Sequence, residues 1–223
     1  MPYIKMLTKC VLVVIFSLGL CANANAVTFT WEHITGYMSS GLYGWTYSYD
    51  IGFYNDKLMV DVDINLVGYS PDLNLRTRWE TGIETLWSTN RFSVPILFNV
   101  DWVTTNYDYS VNVVQGTGRW DMLNWYTVGA GGWGDSYQEK VAAHEYGHMI
   151  SMWDEYSGGA INPDTQRTNT GGLMDTLNGG ALDYYYDPFL NWYQEKISSV
   201  PEPAAMILLG SGLLGLFLIR KKI

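Results

Sequence analysis

Two histidines and a glutamate fall within five residues of this chain, in the run His144-Glu145-Tyr146-Gly147-His148. On a helix, residues four apart stand one above the other, so both imidazoles face the same point in space. That geometry suits a zinc ion held at about 2.0–2.1 Å by two ring nitrogens. The glutamate between them flanks the ion and is placed to take a proton from a water that the ion activates. Only three histidines occur in the chain, and two of them are here. A solvated helix face could carry the same spacing by chance, but the surroundings are those of a helix start. Asp135 and Ser136 are N-capping candidates, Glu139 completes a capping box with Ser136, and Val141, Ala142 and Ala143 carry the helix into the histidines.

A catalytic zinc needs a third protein ligand and one open position. No histidine follows His148, and His33 is isolated near the mature N-terminus, where it reads as a surface residue. A carboxylate or a tyrosine is therefore the expected third ligand. Asp154 lies six residues past His148 in HEYGHMISMWDEY (144–156). Were the helix to continue, those six residues would turn Asp154 about 120° away and lift it about 9 Å, out of reach. The chain must turn near Ser151.

This stretch resembles the metzincin superfamily of zinc peptidases, whose pattern is H-E-x-x-H-x-x-G-x-x-H or -D with a Met-turn downstream. The resemblance implies His144, His148 and Asp154 as zinc ligands and Glu145 as general base. Met174, in Gly171-Gly172-Leu173-Met174-Asp175, would be the Met-turn and form the apolar floor beneath the metal. The wording also resembles bacterial peptidases with a His-Glu-Phe-Gly-His helix followed by Asp-Glu-Tyr. Two positions depart from the family pattern. Ser151 stands where glycine gives the turn its freedom at positive φ. Asp175 and Thr176 follow Met174 where some members carry a tyrosine, so Tyr184, Tyr185 and Tyr186 become the candidate oxyanion donors. Glu155 is the rival to Asp154.

The ends of the chain bear on location. Residues 1–26 read as a secretory signal peptide: Lys5 and Lys9, an apolar run from Val11 to Leu20, and Ala24-Asn25-Ala26 before Val27. At the other end Pro201-Glu202-Pro203 precedes an apolar run from Ala204 to Ile219 and then Arg220, Lys221 and Lys222. That is a short segment able to enter a bilayer with a basic stop. Residues 200–223 resemble the PEP-CTERM sorting signal of Gram-negative bacteria that make extracellular polysaccharide. The resemblance implies export through the inner membrane, transient C-terminal anchoring, an exosortase-type protease as partner, and a final place at the cell surface or in the matrix. Both cysteines, Cys10 and Cys21, lie in the signal peptide, so the mature domain must hold together without disulfides.

Residues 27–199 remain as one domain, with 21 acidic and eight basic residues and a net charge of −13. A body so acidic does not bind nucleic acid by charge. Leu58 to Leu66 alternates apolar and polar residues as a half-buried strand does, with Trp45 to Tyr54 as its partner. Asp61 and Asp63 share its polar face, a solvated surface or a calcium ligand pair. Ser70-Pro71-Asp72 opens a helix whose buried face is Leu75, Trp79, Ile83, Leu86 and Trp87. Extended runs near 92–101, 108–115 and 122–129 come before the histidine helix, and Asp187-Pro188 caps a last helix near 188–198. The glycine-rich run from Gly129 to Gly134 reads as a rim loop. The expected fold is α+β, a metzincin-like domain with a mixed twisted sheet, a long N-terminal helix, an active-site helix and a C-terminal helix.

The function expected from this reading is secreted, zinc-dependent endopeptidase activity on a protein or peptide substrate, with an edge strand before the histidine helix pairing with the substrate. The alternative is a non-catalytic matrix protein that holds a zinc site and binds extracellular polysaccharide through exposed aromatics. The chain has 10 Trp, 17 Tyr and 7 Phe, which is the ground for that alternative.

Overall fold

The structure is a computed structural model that describes residues 29–128 and 135–199. The signal peptide, the glycine-rich run 129–134, the side chains of Asp135 and Ser136, and the sorting segment from 200 onward lie outside the described residues.

Three strands open the domain: β1 (Phe29–Ser40), β2 (Tyr43–Tyr54) and β3 (Lys57–Gly68). Helix α1 (Leu73–Trp87) follows, then β4 (Ile96–Trp102), β5 (Tyr109–Val114), β6 (Asn124–Tyr126), α2 (Asp135–Met149) and α3 (Asp187–Ser199), the last preceded by a 3-10 turn at Asp183–Tyr186. β1, β2 and β3 form an antiparallel meander, whereas β3 pairs in parallel with both β4 and β5, and β5 with β6. The sheet is mixed and the class is α+β. A parallel β3–β4 pair demands a crossover, and α1 supplies it.

Strand β1 does not stand out in the sequence, because its solvent positions carry Trp31 and Tyr37, both exposed, and erase the alternation. Of Ser70-Pro71-Asp72 it is Asp72 that caps α1: its backbone is extended and its side chain accepts from the Leu75 N–H at 2.7 Å. Asp187 is already helical, since the 3-10 turn runs into α3 and leaves no extended cap residue.

Leu58, Val60, Val62 and Ile64 of β3, with Ile96, Phe98 and Val100 of β4, are buried on one sheet face. Trp79, Ile83 and Trp87 of α1, Ala142, Ala143 and Tyr146 of α2, and Phe189 of α3 complete the same core. Registry puts Asp61 opposite Asn99 and Asp63 opposite Asp101 on the other face. There, single carboxylate oxygens of Asp61, Asp63 and Asp101 lie within 4.8 Å of one another. Burial, with neighbouring acids adding to it, raises the Asp61 carboxyl to about 6 against the Asn99 amide that donates to it. The largest of the fully buried side chains are aromatic: Trp79, Trp87, Trp125, Tyr146, Tyr186 and Phe189. A domain without disulfides uses them for packing.

Helices α1 and α2 approach closely enough that a Cβ on Gly82 would lie 2.6 Å from the Glu139 carbonyl oxygen. The Trp87 indole N–H donates to the Ala143 carbonyl at 2.8 Å, one residue before the first histidine. α1 thereby fixes the axial position of α2 under the sheet.

Candidate metal centre

Helix α2 presents His144, Glu145 and His148, all within its last two turns. His144 and Glu145 are buried, at 8% and 7% exposure. The Nδ1 atom of His144 lies 2.9 Å from the Leu173 carbonyl, and that of His148 lies 2.9 Å from the Met152 carbonyl. A carbonyl only accepts, so each Nδ1 carries a proton and each Nε2 is left to face the site. Both Nε2 atoms face Asp154, whose Oδ1 lies 3.2 Å from that of His144 and 3.3 Å from that of His148.

Asp154 reaches this point through the end of α2. Met152 N–H bonds back to the Gly147 carbonyl at 2.8 Å, and Ser151 N–H to the His148 carbonyl at 3.2 Å. Those two bonds are a Schellman ending, which needs a left-handed residue at the position Ser151 occupies. Ser151 has φ 75°, the conformation that glycine usually provides. A Cβ there costs about 1–2 kcal/mol. Ser151→Gly is therefore expected to stabilise the domain by about 0.5–1 kcal/mol, after the greater unfolded-state freedom of glycine is subtracted. Urea denaturation checks this, and a destabilised variant would show that the serine contributes something the strain argument misses.

Beyond the turn, a loop wraps Asp154. Its Oδ2 accepts from the Ala160 N–H at 2.7 Å, and its own N–H bonds to the Ala160 carbonyl. Gly159 makes the closure possible, because a Cβ there would sit 2.6 Å from the Asp154 Cβ. The β1–β2 hairpin pins the same loop: Tyr43 donates to the Gly158 carbonyl and Ser40 to that of Ile161. Trp45 donates to the His148 carbonyl and sets its ring edge-on to the imidazole at 5.3 Å.

Met174 is fully buried beneath α2. A Cβ on Gly147 would lie 2.5 Å from the Met174 sulfur, so the glycine between the histidines is what lets this floor approach the helix. Glu155 N–H bonds to the Met174 carbonyl at 2.9 Å, tying the floor to the loop that carries Asp154.

Other residues considered from sequence lie elsewhere. The Glu155 carboxylate accepts hydroxyls from Thr170, Tyr184 and Tyr185 at 2.5, 2.6 and 2.6 Å, and so faces away from the histidines. Tyr186 donates to the Trp87 carbonyl at 2.7 Å. The structure brings none of the three tyrosine hydroxyls to the site. Tyr156, which sequence reasoning assigned no role, is there instead, with its ring 6.1 Å from that of His144. Strand β6 offers an extended substrate little, being three residues long with both backbone groups of Asn124 bonded to Asp121.

Two cavities meet at His144, Glu145 and Tyr156. One, of about 280 Å³, is walled by Trp120, Tyr137, Val141 and Leu177. The other, of about 200 Å³, also reaches His148 and Asp154 and is bounded by Tyr43 and Trp45. Burial raises the proton affinity of Glu145, and the two imidazoles oppose that rise without reversing it. Burial acts against charge on Asp154 too, but the imidazoles win there and hold the carboxyl far below its ordinary range. Burial likewise disfavours the charged form of His144, yet Asp154 and Glu145 lift it to about 9. The cluster is thus built to attract positive charge.

Residues 199–222 match the PEP-CTERM protein-sorting motif. No curated protein and no solved structure matches the chain. The PEP-CTERM motif implies export and C-terminal membrane anchoring by way of sorting, and it is the segment an exosortase recognises. It includes Pro201, Glu202 and Pro203 and leaves the domain that holds the histidines outside the match. Among the described residues, no helix is long and apolar enough to cross a membrane.

Proposed function

We propose that this protein is an exported zinc-dependent endopeptidase acting at the cell surface or in the extracellular matrix. One observation carries the reading. The Oδ1 atom of Asp154 and the Nε2 atoms of His144 and His148 converge on one point, with the oxygen 3.2 and 3.3 Å from the two nitrogens, while both Nδ1 atoms are turned to backbone carbonyls. A cation among the three atoms would take one ligand from each. Two imidazoles and a carboxylate suit zinc, and three protein ligands leave the open position of a catalytic ion. A purely structural site would have no use for Glu145 beside it.

When bound, the ion supplies Lewis acidity toward a water and toward the scissile carbonyl oxygen. Glu145 accepts the proton of the attacking water and hands it to the departing amine, and its raised proton affinity brings it toward the working pH as a base. The Leu173 and Met152 carbonyls hold the imidazoles in one tautomer and one orientation throughout. Tyr156 supplies a hydroxyl to the oxyanion. Burial first, and the nearby Asp154 and Glu145 charges next, keep that phenol protonated and able to donate.

Tyr156→Phe is expected to lower kcat by about 100-fold while zinc content stays at one per chain. An unchanged kcat would remove Tyr156 from the chemistry. The direct test of the function is cleavage of a peptide library by the full-length protein with chelator, without it, and after zinc is restored. Cleavage that stops and returns supports the reading, and a zinc-loaded protein that cuts no peptide overturns it.

A further inference from the structure

One charged group in the cleft has no part in the chemistry above. Arg119 lines both cavities that meet at His144 and Glu145, and among the described residues it is the sole lysine or arginine on either wall. Its neighbours fix its place. Gly118 lies so tightly against the Tyr126 ring that no Cβ fits. Trp120 is 7% exposed and packs among Trp79, Trp125 and Tyr126.

The Arg119 side chain itself is exposed, and among the described residues it makes no hydrogen bond or ion pair. Outside the metal cluster and Glu145, the acids on these walls are Asp121 and Asp175, and both are engaged with other donors. Asp121 accepts from the Leu123 and Asn124 N–H groups and from the Asn124 amide. Asp175, across the larger cavity, accepts from the Gly171 N–H at 2.7 Å. A guanidinium presents a planar fork of donors that matches a carboxylate. Its partner in this cleft is therefore to be sought in what enters.

We infer that Arg119 binds a carboxylate of the peptide substrate close to the scissile bond, so that this site selects acidic peptides; the inference rests on the peptidase reading above. The carboxylate belongs to an Asp or Glu side chain or to a free C-terminus, and the chemistry of recognition is the same for both. The net charge of −13 on residues 27–199 does not oppose this at the cleft. Remote charges are screened beyond about 8 Å at physiological salt, whereas a contact pair in a cleft is not.

The test uses the zinc-loaded full-length protein and sets of peptides that differ only beside the scissile bond, as Glu, Gln or Lys. A second set differs in ending as free acid or amide. Wild type is expected to favour Glu over Lys by about tenfold or more in kcat/KM, and Arg119→Ala to level the ratio. Arg119→Glu is expected to invert it. A preference for the free acid with none for Glu would assign the contact to the chain terminus.

Binding of the same peptides to zinc-loaded Glu145→Gln, read by fluorescence anisotropy, gives a measure free of turnover and should show the same ordering. Cleavage without any charge or terminus preference, or a preference that survives Arg119→Ala, overturns the role of Arg119 and leaves the peptidase reading standing. Failure of the wild-type protein to cut any peptide overturns both.

Discussion

Glu145→Gln is expected to lower kcat/KM by about 10²–10⁴-fold while zinc stays bound at one per chain, as read by metal analysis of the purified variant. The substitution keeps size and polarity in a position only 7% exposed. It removes the lone pair that accepts a proton, and it also removes a buried charge. Burial is what raises the Glu145 carboxyl, so the neutral amide is not penalised by its surroundings and the fold should persist. The imidazoles that would hold the ion bond to the Leu173 and Met152 carbonyls and to nothing on Glu145, so the metal should not follow the base. Activity within about threefold of wild type would exclude Glu145 as the base and with it the mechanism proposed. Loss of zinc together with activity would instead make Glu145 part of the metal's own support.

Much of the site could be read from residue types, and the reason is local. The i, i+4 spacing of His144 and His148 is a property of one helix, and a turn near Ser151 is required because six helical residues could not bring Asp154 back to the two histidines. Both needed nothing from the rest of the fold. The tyrosines show the opposite case. Tyr184, Tyr185 and Tyr186 stand in a run after Met174, where sequence distance makes them attractive, yet their hydroxyls serve Glu155 and the Trp87 carbonyl. Which hydroxyl faces the cleft depends on how the 154–161 loop folds back, and that is set by Gly159, Ser40 and Tyr43, none of which carries a signal of its own. Tyr156 was visible only as the third letter of Asp-Glu-Tyr. The fold divides in the same way. β3 and α1 declare themselves by periodicity, while β1 is hidden by surface aromatics, and the parallel pairing of β3 with β4 and β5 is a long-range choice that no window of sequence contains.

The adjacent carboxylates of Asp154 and Glu155 should respond in opposite ways to the same change. Asp154→Asn keeps a side-chain oxygen to accept from Ala160 N–H, so the loop retains its 2.7 Å anchor and the metal-free domain should still fold, less stable than wild type by the lost pairing of the carboxylate with the two imidazoles. The variant lacks the anionic oxygen that faces both Nε2 atoms, and its zinc affinity should fall by more than about 100-fold, beyond what loss of an outer hydrogen-bond partner costs. Peptide cleavage should vanish at zinc concentrations that saturate wild type. Glu155→Gln reverses the pattern. Its carboxylate gathers three hydroxyls, from Thr170, Tyr184 and Tyr185, and an amide can accept them through only one of its two atoms. That change should destabilise the domain by about 1–3 kcal/mol and leave zinc in place. Thermal unfolding and metal content of the two variants, measured side by side, separate ligand from scaffold. Zinc retained by Asp154→Asn and lost from Glu155→Gln would transfer the ligand role to Glu155, and it would mean that the loop beyond Ser151 rearranges when metal binds.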